Sequence, residues 1–224
     1  MKRLLLGLSL MVAAGSLVIL PASAAHASWI SANCYVNNVV DSHVRRSDAK
    51  AYANVAVGEG YEWGGGCWNG NNRDDTPGQP DSGGEGPDCS GFVFKTWELK
   101  SAIGADGFQW WDKLQNIHGP YTSASFHAPL SGWPFYRLAN KDYTTTMYMD
   151  AFAKDGHVGM LYTESQPQDG TDSIIEALGD SHGTNIWIES YRMESAYVAV
   201  RRRDWTPDCW PSCGTPDRGV VEVP

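Results

Sequence analysis

The chain has 224 residues, 42% of them hydrophobic, with a formal charge of −9 at pH 7. That length suits one domain with appendages, and that apolar fraction is enough to build a core. An acidic chain without basic runs is a poor candidate for binding nucleic acid or an anionic membrane.

Residues 1–27 read as a secretory signal peptide. Lys2 and Arg3 form a positive start, Leu4 to Leu20 an apolar stretch, and Pro21 breaks it. Ala22-Ser23-Ala24 and Ala25-His26-Ala27 each offer a small-x-small motif, so cleavage is expected after Ala24 or Ala27. The alternative is an uncleaved anchor, because the stretch is at the lower edge of spanning length. No other segment has membrane length. The mature chain is therefore expected to be secreted, off the membrane and monomeric. Its charge would not draw it to an anionic wall, so any wall contact must come from specific interactions at a site.

Five cysteines remain: Cys34, Cys67, Cys89, Cys209 and Cys213. Secretion permits disulfides, and an odd number leaves one thiol over. Cys89 is the natural odd one. The other four allow three pairings, of which Cys34–Cys67 with Cys209–Cys213 is favoured by nearness in sequence and loop composition.

Residues 28–46 are polar and irregular. Ser47 to Val57 predicts a helix, with Ser47 as cap, four alanines favouring it and Gly58 ending it. Tyr61-Glu62-Trp63-Gly64-Gly65-Gly66-Cys67 follows. Three glycines in a row permit close backbone approach. The segment is either a tight turn around a core Trp63 or the wall of a binding groove with Tyr61 as a donor. Trp68 to Gly86 predicts a long surface loop. Asp74, Asp75 and Asp81 within it do not follow a calcium-loop pattern, so no metal is expected.

Pro87-Asp88-Cys89-Ser90-Gly91-Phe92-Val93 is the turning point of the chain. Phe92, Val93, Trp97, Leu99 and Ile103 recur at roughly helical spacing, and Gly104 is a stop signal. Cys89 thus falls in the first turn of a predicted helix with Asp88 as N-cap. Unpaired N–H groups and the helix dipole there favour a thiolate and can receive an oxyanion. The blander reading is a half-disulfide or a small buried residue.

Residues 106–143 are aromatic-rich and broken by glycine and proline. They read as an insertion or cap, with a short helix near Phe108 to Ile117 as the only regular element expected. His118 and His127 lie in it and read as ordinary surface or hydrogen-bonded histidines. Then the period changes to two. Strands are predicted at Met147 to Phe152, His157 to Tyr162, Ser173 to Leu178, Thr184 to Tyr191 and Tyr197 to Arg201, the first two forming a hairpin. Residues 204–224 read as a Cys- and Pro-rich tail tied down by one disulfide. Helices first and antiparallel strands after predict an α+β domain over residues 47–203, with about five strands.

His157 opens a strand after a glycine turn, where it can face a helix N-terminus. Cys on a helix and His on the facing sheet is the arrangement that makes a thiolate–imidazolium pair. Glu176 is a carboxylate inside an apolar strand and needs a reason to be there. It can accept the second ring N–H of His157, or simply face outward. His182 competes with it for the third place.

Tyr61-Glu62-Trp63-Gly64-Gly65, then Asp88-Cys89-Ser90-Gly91-Phe92-Val93, then Gly156-His157-Val158-Gly159-Met160-Leu161-Tyr162 resembles the NlpC/p-sixty family of papain-like cysteine peptidases. The resemblance implies a papain-like core and cleavage of amide bonds in peptidoglycan stem peptides, without a cofactor. It implies Cys89 as nucleophile, His157 as base and Glu176 as the third member. Tyr61, Trp63, Asp88 and Ser90 would lie along the substrate. The third position is commonly His, Asn or Gln in that family, so Glu176 is a departure. The long loop before Asp88, the missing Gly-Asp-Leu turn and the aromatic insertion are others. A thiol hydrolase or acyltransferase acting on a non-wall amide, ester or thioester is the rival enzyme reading. A secreted binding or effector domain with a silent site is the rival outside enzymes.

Overall fold

The computed structural model describes residues 44–68, 86–99, 119–179 and 181–208. The chain starts with helix α1 (Arg46–Val55) and a two-stranded ladder of β1 (Gly66–Cys67) and β2 (Gly86–Pro87). Helix α2 (Cys89–Thr96) follows, then α3 (Ser123–His127). Six strands make the main sheet: β3 (Phe135–Arg137), β4 (Ala151–Lys154), β5 (His157–Glu164), β6 (Asp172–Gly179), β7 (Gly183–Glu189) and β8 (Val198–Arg202). Their order is β3-β8-β4-β5-β6-β7, and every neighbouring pair is antiparallel. This is a mixed α+β fold with a few helices packed on an antiparallel sheet.

The sheet has two buried faces because alternate residues point to opposite sides. Val158 and Met160 of β5 and Ile175 and Ala177 of β6 enter the larger core, which they share with α1 and α2. Leu161 and Ile174 enter a smaller cluster with Phe152, Tyr191 and Tyr197. Helix α2 is buried along its whole length, Phe92, Val93 and Phe94 completely so. Each such side chain contributes on the order of 1.5–3 kcal/mol by leaving water. That burial explains why an eight-residue helix, too short to persist alone, is stable here.

Several boundaries differ from expectation. Helix α2 stops at Thr96, with Trp97 as its cap and Glu98 at a φ of 44°. Ile103, Gly104, His118 and the helix expected near residues 108–117 lie outside the described residues. Ser47 does not cap α1. The cap position is Arg45, without a side-chain cap, and the Ser47 N–H and hydroxyl both donate to Asp208. The first strand begins at Ala151 instead of Met147, because Met147 to Asp150 closes a turn. The Asp150 carboxylate draws in the Met147 N–H and accepts from the Arg46 and Arg201 guanidiniums.

The aromatic insertion is more than a cap. Thr122 and Ser125 form a reciprocal capping box that starts α3. Phe135 to Arg137 then adds a sixth strand beside β8. Phe126 stacks on Phe135 at 4.6 Å between centroids and meets Trp97 edge-on at 5.8 Å. These rings extend the core beyond the end of α2.

The expectation of disulfide bonds is corrected. No disulfide occurs among the described residues, where Cys89 is a free, buried thiol. Cys34, Cys209, Cys213 and the Cys67 side chain lie outside them, as do residues 1–43 and 209–224. What fastens the start of the tail is Asp208 on Ser47 and Tyr148, with the Thr206 N–H donating to the Val44 carbonyl. No helix among the described residues is long and apolar enough to cross a membrane.

Candidate active site

Asp88 builds the floor of the site. It is the N-cap of α2, and its Oδ1 accepts from the Gly91 N–H at 2.7 Å and the Ser90 hydroxyl at 3.2 Å. Its Oδ2 accepts from the Gly64 N–H at 3.0 Å, and its own N–H donates to the Gly65 carbonyl at 3.0 Å. One carboxylate thus clamps the Trp-Gly-Gly turn onto the first turn of the cysteine helix. The two backbones touch. A Cβ on Gly91 would fall 2.0 Å from the Gly65 oxygen, so glycine is required there.

The clamp settles where the predicted site residues stand. Asp88 and Ser90 are buried and bonded to each other and to the helix. Tyr61 is buried in the core cluster that also contains Cys89. Trp63 is 84% exposed, at the tip of the clamped turn and not in the core. Cys89 is 7% exposed in the first turn of α2, where backbone N–H groups have no partner within the helix.

His157 arrives from the sheet. The turn at Gly156, with a φ of 88°, delivers it as the first residue of β5. Its Nε2 lies 2.5 Å from Glu176 Oε2, with the histidine side chain 12% exposed and the glutamate fully buried. The β5–β6 register of Met160 with Ile175 carries on to place Glu176 opposite Gly159. Glu176 therefore shares a side of the sheet with His157 and reaches it diagonally. The path crosses Gly159, where a Cβ would sit 2.6 Å from Glu176 Oε2. Tyr191 completes the group: its hydroxyl donates to the same Oε2 at 3.0 Å, and its ring meets the His157 ring edge-on.

The electrostatics follow from this packing. Burial lowers the pKa of His157. Hydrogen bonds with Cys89 and Glu176, and the negative charge each can carry, outweigh it and raise the value to about 9. The ring is therefore an imidazolium at neutral pH. With Nε2 engaged by Glu176, Nδ1 is the nitrogen left for the Cys89 sulfur. Burial and the Glu176 charge hold the Tyr191 hydroxyl far above the ordinary phenol value, so it stays a donor. Glu189 also feels the site: burial and the Glu176 charge raise its pKa, and His157 partly offsets this.

His182 stands elsewhere. It is exposed, hydrogen-bonded to Ser181 at 2.8 Å and edge-on to Trp187. Of the two candidates for third place, Glu176 is the one in contact with His157. Asp74, Asp75 and Asp81 lie outside the described residues, among which no cluster of three or more His, Cys, Asp or Glu is placed to hold a metal. Two surface cavities of about 530 and 590 Å³ are lined by other residues, and neither includes Cys89, His157 or Glu176.

Sequence reasoning did not single out Gly159 or Tyr191. A glycine inside a strand signals close approach, and that signal was available for Gly159. Tyr191 follows the end of β7, and no local pattern marks it. A thiol, a charged imidazole and a buried carboxylate in series can generate a nucleophile, hold its counter-charge and return a proton to a leaving group. In comparisons with protein-family models, curated proteins and solved structures, none matches this chain.

Proposed function

We propose that the protein is a secreted cysteine hydrolase that cleaves amide bonds in peptidoglycan stem peptides. The observation that carries this reading is His157, held by Glu176 at 2.5 Å on one ring nitrogen and charged in part through the free, buried thiol of Cys89. A buried carboxylate that costs free energy to desolvate, spent on one histidine beside a free thiol, is poorly explained by packing. The reading of the substrate rests on the resemblance of the three motifs and on the apolar, cleavable leader.

In this reading Cys89 and His157 rest as a thiolate–imidazolium pair, the thiol proton already on the ring, and the thiolate attacks the amide carbonyl carbon. The carbonyl oxygen becomes an oxyanion held by N–H groups of the first turn of α2, the Cys89 N–H among them. Collapse of the tetrahedral species breaks the C–N bond, and His157 gives its proton to the departing amine. Water, deprotonated by His157, then attacks the thioester and releases the acid and the free thiol. Glu176 does not take the proton. It fixes the ring and stabilises its charge. Trp63, exposed on the turn that Asp88 clamps to the cysteine helix, offers an apolar wall for the substrate.

The test of substrate class is a side-by-side assay on soluble wall fragments, an unrelated peptide and a thioester. Release of new amino groups from the wall fragments alone supports the proposal. Turnover of the other substrates in preference to them moves the enzyme off the wall.

A further inference from the structure

The geometry points to Tyr191 as a positioning residue, whose hydroxyl fixes the Glu176 carboxylate in the orientation that aims His157 at Cys89. This rests on the cysteine-hydrolase reading above. The Tyr191 oxygen lies 3.0 Å from Glu176 Oε2, and His157 Nε2 lies 2.5 Å from that same oxygen. The other oxygen, Oε1, is buried with no hydrogen-bond partner. Among the described residues the carboxylate therefore has two partners, both on one oxygen. One is the histidine being aimed. The other is Tyr191, which alone can stop the carboxylate turning about its last torsion. A carboxylate with a single bond would be free to swing.

Tyr191 is built to be rigid. It is 5% exposed, and its ring stacks on Tyr197 with centroids 4.0 Å apart and 18° between planes. Lys141 donates to its backbone carbonyl at 3.0 Å. The next residue, Arg192, is locked to Asp172 by two bonds of 2.9 and 3.2 Å. Glu176 itself is on β6, a strand paired with β5 on one side and β7 on the other, and it stands opposite Asn185 of β7. Both ends of the Tyr191–Glu176 bond are thus anchored in the frame, and the histidine is the part being oriented.

The test is proton NMR of the full chain, reading the His157 Nε2–H signal. A 2.5 Å contact with a carboxylate should give a far-downfield line that exchanges slowly with water. Tyr191→Phe keeps the ring stack and removes only the donor. It should broaden that line beyond detection or move it upfield, and slow Cys89 alkylation by iodoacetamide at neutral pH about tenfold. Tyr197→Phe leaves the Tyr191 hydroxyl in place and should keep the line. An unchanged line in Tyr191→Phe overturns the inference. So does equal loss in both variants, which would assign the effect to the paired Tyr191 and Tyr197 hydroxyls and not to the bond on Glu176. The hydrolase reading is tested separately in the same samples: if His157→Ala alkylates at the rate of the unaltered chain, there is no thiolate–imidazolium pair, whatever Tyr191 does.

Discussion

Gly159 and Glu176 compete for one volume: a Cβ on the glycine would lie 2.6 Å from the carboxylate oxygen that holds His157. The same Cβ would also meet Ile174 Cγ2 at 2.6 Å. Gly159→Ala should therefore push the carboxylate away from the ring. We expect kcat/KM to fall about ten- to a hundredfold, through misplacement of the base. Overpacking should cost about 1–3 kcal/mol in urea unfolding. A variant with unaltered kinetics would mean that Glu176 is not needed where it stands.

The pH profile should show an alkaline limb near 9. His157 is charged below the pKa of about 9 that its environment gives it, and neutral above it. Above that limb the thiolate persists, but the ring has no proton to give the leaving amine, so activity falls. Burial works against the raised value, and the bonds with Cys89 and Glu176 sustain it. Glu176→Gln removes one acceptor anion and its charge. The limb should then move down by about one to two pH units. A stationary limb in stopped-time assays across pH would assign it to another group.

The buried ion cluster away from the site should matter for stability and not for chemistry. Asp150 is 1% exposed and bonded to Arg46 of α1 at 2.8 Å and to Arg201 of β8 at 2.6 Å. Asp150→Asn leaves two buried guanidiniums without their shared counter-charge. The expected loss is about 3–5 kcal/mol by chemical denaturation. A loss below about 1 kcal/mol would mean the two arginines find other partners or water.

Trp63 should report on binding. Its side chain is 84% exposed, so Trp63→Ala should leave the unfolding midpoint where it is. If the ring walls the substrate groove, KM should rise about two- to tenfold with kcat little changed. Unchanged KM would remove Trp63 from the groove.

The sequence carried the strands well because their period-two patterns are local. His157 to Tyr162 and Ser173 to Leu178 fall inside β5 and β6. It carried the Asp88 cap for the same reason: capping is set by a residue and its third neighbour. What it could not carry was tertiary. Ser47 looks like a helix cap, but Asp208, far along the chain, takes its hydroxyl. Met147 to Asp150 alternates like a strand, but a buried aspartate drawn to two arginines bends it into a turn. Trp63 had a core reading and a groove reading, and its exposure excludes the core one. Cys89, His157 and Glu176 were legible as residue types in order. The choice of Glu176 over His182 as partner of His157 needed the β5–β6 register.

The most direct measurement is mass spectrometry of purified peptidoglycan fragments incubated with the mature protein and with its Cys89→Ala variant. Fragments cut at one amide bond, released by the unaltered chain and absent with the variant, are the predicted result, and their masses name the bond. The same fragments released by both chains would contradict the account, because hydrolysis would not then pass through Cys89.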